Sequence, residues 1–112
     1  MIFKKEKDLK EKKLMEGISL ELLCHGLHTL MGRFNLAGGH DLPMHSHPYE
    51  QTGYMLSGHM TLFIDGEEHD VKEGDSWCIP ASTAHGAHII EDSLVIEVFS
   101  PPREDYRRIG ES

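Results

Sequence analysis

The stretch HSHPYEQTGYMLSG, residues 45–58, sets two imidazoles one residue apart, follows them with Glu50 and Gln51, and closes on a glycine. Residues alternate faces along a strand, so His45 and His47 point to one side. Two converging imidazoles are a metal-site geometry. Two solvated histidines on a polar face would show the same spacing, and the pair alone does not separate the readings. The same parity sets Gln51 beside the two histidines and Glu50 on the opposite face, unless a turn at Pro48-Tyr49 interrupts the strand.

Outward from this stretch, turn signals recur at short intervals: Ala37-Gly38-Gly39, Ser57-Gly58, Asp65-Gly66, Lys72 to Asp75, Ile79-Pro80 and Glu91 to Ser93. Between them lie short apolar or alternating runs such as SLELL, LHTLMGRFNL, MTLFI, SWCI and SLVIEVF. Many short strands with regular turns predict an all-β sandwich or barrel. Asp65-Gly66 suits a type I′ hairpin turn, because both residues tolerate φ > 0. Lys4 to Glu16 is charged and rich in helix formers, which predicts a short helix or a frayed arm with a solvated face. Pro101-Pro102 ends the last strand and leaves a tail or short helix. The chain thus divides into a charged arm (1–16), a barrel (17–106) and a C-terminal tail (107–112), with no internal repeat.

The 112 residues suit one domain. A net charge of -8 without a basic cluster argues against nucleic acid or an anionic membrane as partner. It leaves room for a small anionic ligand, because a local cation can override the global field. No apolar run approaches the roughly 18 residues of a spanning helix, and no apolar signal segment follows Met1. The expected location is cytoplasmic, with Cys24 and Cys78 as reduced core thiols.

Two spacings then act together. Gly39, His45, His47, Gln51 and Gly58 resemble the first motif of the cupin family, G-x5-H-x-H-x3/4-E-x6-G, with Gln51 in place of its glutamate. Gly74, Pro80, Ser82 and His85 resemble the second, G-x5-P-x-G-x2-H-x3-N, with Ser82 replacing the glycine and Ile89 the asparagine. The resemblance implies a double-stranded β-helix with a short N-terminal arm or helix. It implies that His45, His47, Gln51 and His85 ring one divalent transition metal: Zn, Ni, Fe, Mn or Cu. An amide ligand cancels no charge, which favours a Lewis acid that polarises an anionic oxygen ligand over oxygen chemistry.

SLVIEVFS carries one charge, Glu97, on the face of Val95 and Phe99. A buried carboxylate needs a partner. It serves either as a hydrogen-bonded structural acid or as a general acid/base. Arg103 is either a solvated tail residue or the fork that takes a substrate carboxylate. Residues 45–58 together with DSLVIEVFSPPREDY resemble the pectin-degradation cupins of the KdgF type, which open 4,5-unsaturated uronates to linear 5-keto-4-deoxyuronates. That likeness implies substrate or catalytic roles for Glu97, Phe99 and Arg103, with Glu97 standing where those cupins carry Asp. Similar small cupins imply a homodimer. The other classes in view are a cupin cyclase or isomerase of another substrate, a dioxygenase, and a non-enzymatic ligand-binding module.

Overall fold

In the computed structural model, which describes residues 2–111, eight antiparallel strands build the molecule. They are β1 (Glu11–Met15), β2 (Ile18–His25), β3 (Leu30–Leu36), β4 (Asp41–His45), β5 (Glu50–Ile64), β6 (Glu67–Lys72), β7 (Ser76–Ile79) and β8 (His85–Ser100). A short helix, α1 (Glu104–Arg107), and a following 3-10 turn close the chain. Residues 1 and 112, the outer ends of the expected arm and tail, lie outside the described residues.

Two long strands make this a barrel. The second half of β8 pairs with β3 and with the first half of β5, which also carries β7. The first half of β8 pairs with β4 and with the second half of β5, which also carries β6. Each long strand therefore belongs to both facing layers and bends between them. The bend lies where the β5–β8 register slips, between Met55 and Met60. Turns expected at Ser57-Gly58 and at Glu91 to Ser93 are this bend. Bulges let a strand change direction without ending its ladder. Ser93 stitches the corner: its Oγ accepts from the His59 backbone N–H and donates to the Glu91 carbonyl.

Strand alternation places Ile18, Leu20, Leu22, Met55, Ile89 and Phe99 inside, all essentially inaccessible. The Asp65-Gly66 turn has φ of 50° and 81°, both positive as type I′ requires.

The N-terminal segment differs from its sequence reading. Only Glu6–Asp8 is helical, as one 3-10 turn, and Glu11–Met15 forms an edge strand on β2. Tertiary pairing to β2 overrides weak helix propensity in so short a segment. Arg33 holds the turn to the barrel, donating to both Glu6 oxygens at 2.9 and 2.7 Å and to Glu21. At the other end, Ile109 is buried against the core. The cysteines are free, but Cys78 is exposed on β7 and Cys24 is half-buried, so neither is a core thiol. Among the described residues no helix is long and apolar enough to cross a membrane.

Candidate metal centre and ligand cavity

His45 ends β4, His47 lies in the loop that follows, and His85 opens β8. Residues 45–51 are thus not one strand. The chain breaks between Ser46 and Tyr49, and strand parity is not what gathers the histidines. Pairing does so instead. His45 faces His85 across β4–β8, and the Ser82 backbone N–H donates to the His47 carbonyl at 2.7 Å. Ser82 takes φ 61°, a left-handed conformation that glycine would adopt more readily. Ligand atoms of His45, His47 and His85 lie within 4.8 Å of one another. The three grade from exposed through half-buried to buried, so the cluster opens to solvent on one side.

Each imidazole has one nitrogen committed to a backbone carbonyl. His45 Nδ1 donates to Pro43 O at 2.8 Å, His47 Nδ1 to Tyr49 O at 3.1 Å, and His85 Nδ1 to Thr83 O at 2.8 Å. A carbonyl only accepts, so Nδ1 carries the proton and Nε2 presents a bare lone pair. His85 Nε2 is buried with no hydrogen-bond partner among the described residues. Burial, opposed by the Thr83 carbonyl bond, holds the His85 pKa below its ordinary value. Burial and the nearby Arg103 charge do the same for His47. Neutral rings are what a metal requires at neutral pH.

Gln51 stands on β5, buried, with Glu50 exposed beside it. Its Oε1 is 3.0 Å from His47 Nε2, so two lone pairs face each other with no proton between them. That contact is unfavourable unless a cation lies near both. The orphaned His85 nitrogen and this acceptor pair fit a divalent metal held by His45, His47, His85 and Gln51.

Behind Gln51 lies Glu97 on β8, 9% exposed. Gln51 Nε2 donates to its Oε2 at 2.5 Å, and Trp77 Nε1 donates to its Oε1 at 3.0 Å. Burial outweighs these bonds and lifts the Glu97 carboxyl to about 7. Trp77 reaches it across β5 because Gly53 lies between: Gly53 is the register partner of both Trp77 and Glu97.

Arg103 follows the last strand and is largely covered. Its guanidinium carbon lies 3.9 Å from the Tyr106 ring centre, 5.1 Å from that of Phe99 and 5.4 Å from that of Tyr49. Asp105 accepts from its Nε and Nη2 at 3.3 and 2.9 Å. It is therefore not a solvated tail residue. Phe99, 1% exposed, packs edge-on against His47 and Tyr106.

One cavity of about 290 Å³ touches His45, His85, Gln51, Glu97, Phe99 and Arg103, and His47 meets Gln51 without lining the cavity itself. The rest of its wall is mostly apolar, with Ile18, Phe34, Leu36, Met60 and Val95. Sequence reasoning missed Trp77, Tyr49 and Tyr106. The only signal for Tyr49 and Tyr106 was an aromatic beside each quoted motif. His59, His69 and His88 pair with Asp70, Glu67 and Asp41 away from the cluster.

The cupin-domain family matches residues 32–100, which contain both histidine motifs. The pectin degradation protein KdgF of Dickeya dadantii is 28% identical over 99 residues, covering 88% of this chain and 83% of that one. The solved KdgF structure from Halomonas sp. superposes with a TM-score of 0.87 at 29% identity, covering 94% and 97%. The H2HPP isomerase of Bacillus subtilis is 26% identical over 84% of this chain, which spans 41% of that protein. With the barrel, the three gathered imidazoles and a family match over most of its length, this chain is a small KdgF-like cupin.

Proposed function

We propose that this cupin is a metal-dependent enzyme that opens 4,5-unsaturated uronates to linear 5-keto-4-deoxyuronates. The observation that carries this is one cavity with His45, His85 and Gln51 of the metal cluster on its wall and a caged guanidinium beside them. A uronate has a carboxylate for the second and ring oxygens for the first. The likeness to two KdgF proteins supports the same reading. A volume of about 290 Å³ suits one sugar acid and not an oligosaccharide, being at the low end of ligand pockets, roughly 300–1,000 Å³.

When bound, the metal supplies Lewis-acid polarisation of a substrate oxygen. The chain does the rest. Arg103 takes the carboxylate, its planar fork held by the aromatic rings at its faces. Phe99 walls the reacting ring. Glu97 lines the cavity, and a carboxyl at about 7 exchanges protons at neutral pH. The proton leaves the anomeric hydroxyl, the ring C–O bond breaks, and the enol is protonated to the ketone. No net redox change occurs.

The test follows loss of the ultraviolet absorbance of 4,5-unsaturated galacturonate against spontaneous decay. Metal-loaded protein should accelerate it and chelator should abolish the acceleration. Arg103→Met should lower kcat/KM by about 10–150-fold, the equivalent of ~1.5–3 kcal/mol for charged hydrogen bonds. No acceleration by metal-loaded protein would rule out this substrate. A second reading, isomerisation of a more apolar carboxylate, draws on the mostly apolar wall and on the likeness to H2HPP isomerase. The same assay separates them.

A further inference from the structure

We propose that Glu97 is a positioning residue that makes Gln51 a metal ligand. It fixes the amide so that the oxygen faces the imidazoles. It also supplies, from one side chain further back, the anionic charge that a glutamate at position 51 would carry. This inference rests on the metal reading of the site and not on the identity of the substrate.

An amide has an acceptor end and a donor end, and nothing internal to Gln51 decides which faces the histidines. Glu97 decides it. A carboxylate accepts, so the NH2 turns to Oε2 at 2.5 Å and Oε1 is left 3.0 Å from His47 Nε2. Trp77 holds the carboxylate from its other oxygen at 3.0 Å, passing over Gly53. The result is an ordered row, Trp77 N–H to Glu97 to Gln51 to the imidazoles, in which each member has one possible orientation. Partners that orient ligands in this way tune metal affinity.

The row has a mirror arrangement, reached by the double variant Gln51→Glu/Glu97→Gln. The new amide oxygen at position 97 would accept from Trp77, and the amide NH2 would donate to the new carboxylate at position 51. Every hydrogen bond is then kept and the charge moves one side chain inward. Glu97→Gln by itself puts one acceptor between two donors: the new amide's NH2 meets either the Gln51 NH2 or the Trp77 N–H, or Gln51 turns its NH2 toward the imidazoles. The single change is therefore the damaging one, and adding Gln51→Glu repairs it.

The experiment titrates Co²⁺ into chelator-treated full-length protein, read by calorimetry and by the visible absorption of bound Co²⁺. Wild type should bind and His45→Ala should not. A wild type that fails to bind removes the metal reading before any variant is made, and this inference with it. Glu97→Gln should bind about 10–100-fold more weakly. The double variant Gln51→Glu/Glu97→Gln should return to near wild-type affinity and spectrum. Glu97→Gln with wild-type affinity would overturn the proposal. So would a weak Glu97→Gln that the second change fails to rescue, which would mark a merely structural buried acid. If Glu97→Gln does not fold, the double variant and Trp77→Phe decide. Rescue by the first and weakened binding in the second support the row, and failure of both overturns it.

Discussion

Gly53 shows how much one absent side chain can matter to the site. A Cβ at this position would lie 2.2 Å from the Trp77 indole, far inside van der Waals contact. Gly53→Ala should therefore push the indole off β5 and away from Glu97. We expect a loss of about 1–3 kcal/mol in urea denaturation, the usual cost of overpacking. The emission of Trp77, the only tryptophan, should shift in the folded protein. A variant with wild-type stability and emission would mean that the close approach is not required. Gln51 teaches a related lesson. Its type was legible as a departure from the cupin motif, and its expected effect was a metal with no ligand charge. Glu97, 2.5 Å behind it, accepts from its amide and places a carboxyl one side chain further back. Forty-six residues separate the two, so no local pattern could have linked them.

At the scale of elements, the instructive case is the N-terminal segment. Charge and propensity described it as helix or arm, yet it is a 3-10 turn and an edge strand. Its hold on the barrel runs through Arg33, whose hydrogen bonds keep the Glu6 carboxyl below its ordinary value. A carboxyl depressed on folding stabilises the docked form above its unfolded value. That contribution disappears as pH falls through the folded value. The Arg33 Nη NMR signals, from the groups that donate to Glu6, should therefore report release of the turn as pH drops below the ordinary glutamate range. Glu6→Gln should release it at neutral pH. An Arg33 signal unchanged across that range would count against the clip. The same segment reaches the cavity, since Leu14 and Met15 are on its wall. The loop that carries His47 was likewise read as strand. The histidines converge because β4 pairs with β8, so the parity argument put His45 and His47 together by a route the fold does not take.

For the whole molecule, metal and partner are the two couplings to test. Binding to the folded state alone should stabilise it by about 2.7 kcal/mol when free metal is near 100 times its Kd. Chemical denaturation with and without Zn²⁺ or Co²⁺ measures this, and His85→Ala should abolish the difference. An equal shift in that variant would place the metal elsewhere. The outer barrel face carries Met31, Tyr54 and Leu56 at 39%, 46% and 38% exposure, with Ile96 and Val98 half-buried between them. Register places Ile96 beside Tyr54, and Val98 beside Met31. A homodimer through this face is expected, and sedimentation of wild type against Tyr54→Asp tests it. A monomeric wild type would dismiss it.

The sequence by itself determined the all-β class, the type I′ turn, the barrel implied by two cupin-like spacings, and the choice of His45, His47, Gln51 and His85 as side chains that come together. These are legible because turn chemistry, alternation and ligand spacing are short-range properties of a chain. Only the tertiary structure decided that β5 and β8 each run through both layers. It also decided that Arg103 is caged by Tyr49, Phe99 and Tyr106, and that Trp77 and Gln51 both donate to Glu97. Those facts depend on pairing between distant strands, where one register choice brings together side chains that no local spacing relates.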